Sequence, residues 1–329
     1  MRTKRLLLGA VTIGALLCAV SLSLGGPALA QAYPSKPVKV IVPFSAAGPG
    51  DITARILAQR LTEQLGQQFV VDNRPGAGGN VGMALVAKAP PDGYTILVVS
   101  SALVVNPGLY ANMGFDSIRD LAPVTKAVDS PNLLMVHPSF PAKTVKELIE
   151  IVKANPGKYS YAAPPIGTTP HLGGELLKLA FGLDLVAVPF NGAAPAITST
   201  VQGQTPIAFT ALPPATELVL SGQLRALAVT AKHRSAALPD VPTMEEAGIS
   251  GQESDTMQAV LVPAGTPRAI IDLLHREIVK VLAREDVKAR LAQLGFEPVG
   301  NTPDEFAAEI KVELEKWGRV VKAANIKVD

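Results

Sequence analysis

Three features of the chain predict an α/β fold. Short, continuously apolar runs recur along it, amphipathic segments alternate with them, and turns rich in glycine or proline stand at the junctions. That order predicts doubly wound, mainly parallel sheets with flanking helices, shared between two lobes. A chain of 329 residues has room for two cores.

The first thirty residues stand apart from this pattern. Arg2, Lys4 and Arg5 precede an uncharged, mostly apolar run over 6–24, and Gly26-Pro27 interrupts it ahead of Ala28-Leu29-Ala30, a small-x-small cleavage pattern. This predicts a secretory signal peptide over 1–30, cleaved after Ala30. An uncleaved anchor is the alternative for a run of this length. Cleavage removes three of the 30 basic residues and none of the 28 acidic ones, so the formal charge moves from +2 to −1. The mature balance gives no reason to expect a nucleic-acid partner. Cys18 is the one cysteine and lies in this segment, so the mature chain is expected to have no disulfide, thiol nucleophile or thiolate metal site. No later stretch is apolar over a bilayer's thickness, and membrane insertion after cleavage is not expected.

In chain order, strands are predicted over 38–42, 69–71, 94–99, 133–136, 159–162, 185–188, 206–209, 226–229 and 260–262. Each is a short run without polar alternation, as suits strands covered on both faces. Helices are predicted between them over 52–65, 81–89, 145–154, 171–180, 194–202 and 215–221, where apolar residues recur at three- and four-residue spacing. Two longer helices follow. One spans 268–283 and continues to 294; the other starts at Thr302, which forms a capping box with Glu305. The order divides the chain into lobe 1 (31–128 and 254–329) and lobe 2 (129–253), with a strand over 257–262 returning to the first lobe. Two crossings of this kind form a hinge on which lobes can close.

The candidate binding chemistry sits in the turns. Pro43-Phe44-Ser45-Ala46-Ala47-Gly48-Pro49-Gly50-Asp51 ends one strand and opens a helix, and Pro164-Pro165-Ile166-Gly167-Thr168-Thr169-Pro170 does the same further on. A helix that starts at such a turn points free N–H groups and the positive end of its dipole at whatever fills the crevice. Two such turns without lysine or arginine predict a cleft that grips a small carboxylate from both sides. In the first, Phe44, Ser45, Ala46, Ala47 and Gly48 allow close backbone approach, and Asp51 stands where an N-cap belongs. Ser100, Ser101 and Asn106 follow a strand at the same carboxyl edge, where doubly wound sheets place ligands. Gly167, Thr168 and Thr169 offer hydroxyls and N–H groups, and His171 opens the second helix in a ligand or packing role. A third turn, Asn191-Gly192-Ala193, is expected to add backbone donors.

Other chemistries find no footing in the sequence. Gly76-Ala77-Gly78-Gly79 follows a strand, but Val81 stands where a dinucleotide fingerprint needs glycine, and there is no phosphate loop. His137, His171, His233 and His275 lack metal-ligand spacing, and neither a nucleophile elbow nor H-E-x-x-H occurs. No cofactor, no metal and no catalytic residue are expected. A hydrolase with a dispersed triad remains an alternative, because triad members need not be close in sequence.

Tyr33-Pro34-Ser35-Lys36-Pro37-Val38, Pro43-Phe44 with its glycine-rich loop and Asp51, Asn73-Arg74-Pro75-Gly76-Ala77-Gly78-Gly79-Asn80, Asp92-Gly93-Tyr94-Thr95, Leu238-Pro239-Asp240-Val241-Pro242-Thr243 and the ending around Trp317 together resemble the Bug-type substrate-binding proteins of tripartite tricarboxylate transporters. The resemblance spans essentially the whole mature chain. It implies a periplasmic binding protein of the two-lobed type II class, which captures a small organic carboxylate and delivers it to the transporter's membrane permease; the protein is expected to be a monomer. It also implies that backbone groups and bridging waters hold the ligand carboxylate. Where relatives commonly carry a polar or acidic residue, this chain has Thr210-Ala211-Leu212-Pro213-Pro214. That departure favours a ligand without a cationic group, with apolar bulk near Phe44 and Phe190. A receptor lobe for a membrane signalling protein would use the same ligand chemistry.

Overall fold

The computed structural model describes residues 33–323 and 326. The expected signal peptide and its cleavage site lie outside the described residues. Strand β1 (Val38–Val42) leads through the first turn into α1 (Pro49–Leu65), and the chain returns in β2 (Phe69–Asn73). Pro49 suits the first helical turn, where no N–H is needed, and Gly66 ends α1 in the left-handed conformation. A 3₁₀ turn over Ala77–Gly79 opens α2 (Asn80–Ala87), followed by β3 (Thr95–Ser100), α3 (Ala102–Leu109) and β4 (Leu121–Ser130).

The second sheet begins at once with β5 (Asn132–Val136). It continues through α4 (Val145–Lys153), β6 (Tyr159–Ala163), α5 (Thr169–Phe181), β7 (Leu185–Pro189), α6 (Ala193–Val201), β8 (Ile207–Ala211), α7 (Thr216–Leu220) and β9 (Arg225–Val229). The chain then returns in β10 (Thr256–Pro263). It ends with α8 (Arg268–Ala283), α9 (Glu285–Leu294), the two-residue β11 (Glu297–Pro298) and α10 (Pro303–Ala323).

The first sheet has the order β11-β4-β10-β3-β1-β2, the second β7-β6-β8-β5-β9. The α/β class is as the sequence predicts, but the sheets are mixed rather than mainly parallel. The returning strand β10 runs antiparallel to both β3 and β4, and β5 runs antiparallel to β8 and β9. In each sheet, the strand that arrives from the other half inserts against the local direction.

The second sheet shows why its strands read as unbroken apolar runs. Leu134 and Val136 of β5 pack into one core with Tyr161 and Phe209, whereas Leu133 and Met135 pack on the opposite face with Ala208 and Leu212. Both faces are buried, so neither needs polar residues. The first sheet packs Leu97, Val99, Met257 and Leu261 against Leu103, Phe306 and Trp317.

Three elements depart from expectation. β4 carries Pro123, Lys126 and Asp129 within its ten residues, which hid it. The Lys126 ammonium is bonded to Asp129 at 2.8 Å and to Glu309 of α10 at 2.6 Å, so these charges serve a strand that is nearly an edge. α3 reads as a loop because it is buried almost all round and contains Pro107, leaving no amphipathic period. The expected continuation of α8 is a separate helix, because Arg284 is extended at φ −66° and ψ 135°. The capping box of α10 forms as expected: Glu305 N–H donates to Thr302 Oγ1 at 3.2 Å, and Thr302 N–H to Glu305 Oε2 at 2.9 Å.

The two strands that carry the chain between the sheets are neighbours, with Ser130 opposite Thr256. A buried polar network binds them. The Thr256 hydroxyl donates to Asn132 Oδ1 at 2.6 Å, Asn132 Nδ2 donates to the Ser254 carbonyl, and the Thr230 hydroxyl donates to that same carbonyl at 2.8 Å.

Candidate functional site

The starts of α1, α5 and α6 meet at one cavity. None has a side-chain cap: Gly48 and Gly192 have no side chain to offer, and the Thr168 hydroxyl is turned back to the Pro165 carbonyl at 2.8 Å. First-turn N–H groups of a helix have no intrahelical partner, and the dipole adds positive potential there. Gly48, Pro49 and Gly50 of α1, Thr168, Thr169 and Pro170 of α5, and Gly192 and Ala193 of α6 line the cavity, together with Phe44, Ser100, Pro164, Ala211, Thr256 and Gln258. The cavity and its open mouth together hold about 430 Å³ of atom-free space. No charged side chain is among these lining residues. An anion entering it would meet backbone dipoles and neutral hydroxyls.

Local contacts hold the first turn. Asn73 Nδ2 donates to the Phe44 carbonyl at 3.1 Å, and Ala47 N–H donates to Asp51 Oδ2 at 2.9 Å. Asp51 is therefore not the N-cap, which is Gly48; it lies three residues inside the helix, ties the loop back and pairs with Arg55 at 2.9 Å. Burial pushes its carboxyl up, but hydrogen bonds from Arg55, Ala47 and Asn73 outweigh that and hold it below the ordinary carboxylate value. An ionised Asp51 behind the loop does not face the cavity.

Of the candidate residues, the structure brings Phe44, Gly48, Ser100, Thr168, Thr169, Gly192 and Ala193 to the cavity wall. The others sit elsewhere. Ala46 and Ala47 are exposed on the outer side of the turn. Ser45 N–H reaches across to the Asn191 carbonyl at 3.4 Å, so this pair joins the two halves at the rim. Ser101 Oγ accepts the Met257 N–H at 3.1 Å and is used up in holding β10. Asn106 is fully buried; its Nδ2 donates to the Gly78 carbonyl at 3.0 Å and to Asn80 Oδ1 at 2.8 Å, which shapes the glycine-rich segment. Gly167 abuts Leu109 and Asn106 of the other half, at φ +89°. Thr210 lies on the opposite face of β8 from Ala211 by strand alternation, and its hydroxyl donates to the Ala211 carbonyl at 3.1 Å.

His171 is 4% exposed and does not line the cavity. Burial lowers its pKa to about 4, against the opposing pull of Glu175, so the ring is neutral near pH 7.

Thr256 and Gln258 on β10 escaped the sequence reading. Their signal is a polar residue inside a strand buried at every position. Pro49, Gly50, Pro164, Pro170 and Ala211 also line the wall without having been singled out.

Comparisons with known proteins agree with one another. The family model described as "Tripartite tricarboxylate transporter family receptor" matches residues 53–326. The chain is similar to the periplasmic binding protein BugD, with 36% identity and a TM-score of 0.87 over 90% of this chain and 100% of that one. It is similar to Rpa4515 of R. palustris, solved with adipate, at 35% identity and a TM-score of 0.87, covering 90% and 100% of the two chains. It is also similar to MatC of Rhodopseudomonas palustris, solved with bound malate, at 30% identity and a TM-score of 0.83, covering 88% and 100%.

Proposed function

Because the chain belongs to the receptor family of the tripartite tricarboxylate transporters, we propose that it captures a small organic carboxylate in the cavity at the starts of α1, α5 and α6 and hands it to a membrane permease of that transporter type. One observation carries the reading. Three helix N-termini without side-chain caps converge on a cavity with no charged lining residue. Such a wall stabilises an anion through N–H donors and dipoles without committing to a charged partner. Two relatives of this fold were solved with adipate and with malate, both small dicarboxylates, which fits that chemistry.

The candidate ligand-binding set is Phe44, Gly48, Ser100, Thr168, Thr169, Gly192 and Ala193. Residues 31–128 with 254–329 act as one lobe and 129–253 as the other, hinged where β4 and β10 lie side by side. The lobes move because the space is tight: the cavity has room for only about two waters. An organic acid enters when the walls part and is enclosed when they close. The protein works as a monomer in the periplasm after cleavage following Ala30.

Mass spectrometry of the small molecule released from protein purified from the periplasm, joined to uptake of that molecule by cells with and without the gene, tests the proposal. A carboxylic acid whose uptake falls on deletion is the expected result. A neutral or cationic molecule, or uptake unchanged by deletion, overturns it.

A further inference from the structure

We propose that Gln258 reads the ligand's second polar group, so that the cleft selects a carboxylate bearing a hydroxyl within reach of this amide. The inference rests on the carboxylate reading above. β10 forms the floor of the cleft, every one of its residues is buried, and Gln258 stands opposite Ser100 of β3 and Val128 of β4. Its side chain is 0% exposed, yet neither Oε1 nor Nε2 has a hydrogen-bond partner in the protein.

The neighbouring polar groups are engaged. The Thr256 hydroxyl donates to Asn132 Oδ1 and accepts from the Thr169 hydroxyl, each at 2.6 Å, and Ser100 Oγ accepts the Ala102 N–H at 3.3 Å. A buried amide with neither donor nor acceptor satisfied destabilises the fold, and an apolar side chain of the same shape would serve packing better. An amide in that state at a cavity wall is matched to something that enters the cavity.

Its position names the group it meets. A Cβ on Gly50 would lie 3.1 Å from Gln258 Oε1, so the amide stands beside the uncapped start of α1. A carboxylate held by that helix end presents its α or β substituent to Gln258. A hydroxyl there satisfies both atoms, donating to Oε1 and accepting from Nε2. A second carboxylate satisfies Nε2 alone and repels Oε1, and a methylene leaves both unpaired. Sites built to pair a ligand hydroxyl reject the analogue lacking it, because the site's own polar groups then stay unpaired.

Three pairs of acids that differ by one hydroxyl test this: malate and succinate, lactate and propionate, phenyllactate and 3-phenylpropionate. Calorimetric titrations of the mature protein and of Gln258→Met, which keeps the length without the amide, give the ratio within each pair. Wild type should favour the hydroxy acid of the pair it binds by tenfold or more. Gln258→Met should bring that ratio within about threefold by weakening the hydroxy acid, and its ligand-free melting temperature should equal or exceed that of wild type. Gln258→Leu replaces it if the Met variant fails to show a native circular dichroism spectrum. A wild-type ratio near one, or an unchanged preference in the variant, overturns the role of Gln258 and leaves carboxylate capture standing. If wild type binds none of the six, the acid released from the periplasmic protein and its analogue differing by one hydroxyl form the test pair; a ratio near one there overturns the role of Gln258, and release of a neutral or cationic molecule overturns both.

Discussion

Ser45 and Gly192 meet across the mouth of the cleft so closely that a Cβ on Gly192 would overlap the Ser45 hydroxyl. Gly192 has an extended backbone at φ 166°, which any residue can adopt. What glycine supplies here is the absent side chain, and with it the approach of α6 to the first turn.

Gly192→Ala should therefore oppose closure without disturbing its own turn. Overpacking costs about 1–3 kcal/mol, and borne by the closed form alone it lowers affinity roughly 5- to 150-fold. Solution scattering should show a larger radius of gyration for Gly192→Ala than for wild type at saturating ligand. Adding Ser45→Ala should restore part of the affinity, because it removes the atom in the way. Unchanged affinity and radius would mean that this contact does not limit closure.

Gly167→Val should weaken binding more than His171→Ala, for a reason the structure alters from the one the sequence suggested. Gly167 does not line the cavity; it has φ +89° and lies against Leu109 and Asn106 of the facing half. A β-branched side chain there strains the backbone by about 1–3 kcal/mol and meets the opposite wall. His171→Ala should lower the melting temperature with little effect on affinity. Calorimetry on both variants, after circular dichroism, separates the two; loss of binding in His171→Ala alone would assign the ring a ligand role.

The buried ring also sets a pH dependence. The His171 pKa of about 4 in the folded state lies below the ordinary imidazole value of 6.5, so the unfolded chain binds more protons between these values. Stability contributed by the neutral ring is present above about pH 6.5 and lost as pH falls toward 4, by on the order of 3 kcal/mol. Asp255 acts in the opposite sense: desolvation first, then Asp129 and Glu297, push its carboxyl up to about 6. Its residue is nonetheless solvent-exposed, which screens that contribution. Thermal melts between pH 4.5 and 7 should show wild type losing stability on acidification more steeply than His171→Gln. Parallel curves would mean that the ring is not buried in its neutral form.

Much of the architecture was legible because its strands are buried on both faces. Runs such as 133–136 and 260–262 need no alternation because every residue in them is buried, and the glycine-rich turns after 38–42 and 159–162 mark helix starts. β4 and α3 were not legible: Lys126 and Asp129 disguise a strand as a polar loop, and α3, apolar nearly all round, has no period to detect. The three turns pointed to the cleft, but Gln258 did not stand out. Its meaning depends on lacking a partner, which only the packed structure reveals. Asn106 and Thr210 misled for the converse reason, since the Asn106 amide N–H groups and the Thr210 hydroxyl donate to acceptors inside the protein.

The claim that helix starts and backbone donors hold an anion is tested most directly by an acid and its amide. Calorimetric titration of the mature protein would compare the carboxylic acid that binds with its primary amide, equal in shape and uncharged. Hydrogen bonds to a charged group contribute about 1.5–3 kcal/mol and neutral ones about 0.5–1.5. With two or more such donors on the carboxylate, the amide should bind at least about tenfold more weakly. Equal affinity for the acid and its amide would contradict the account, because a site that tolerates the loss of the charge is not built on three convergent helix N-termini.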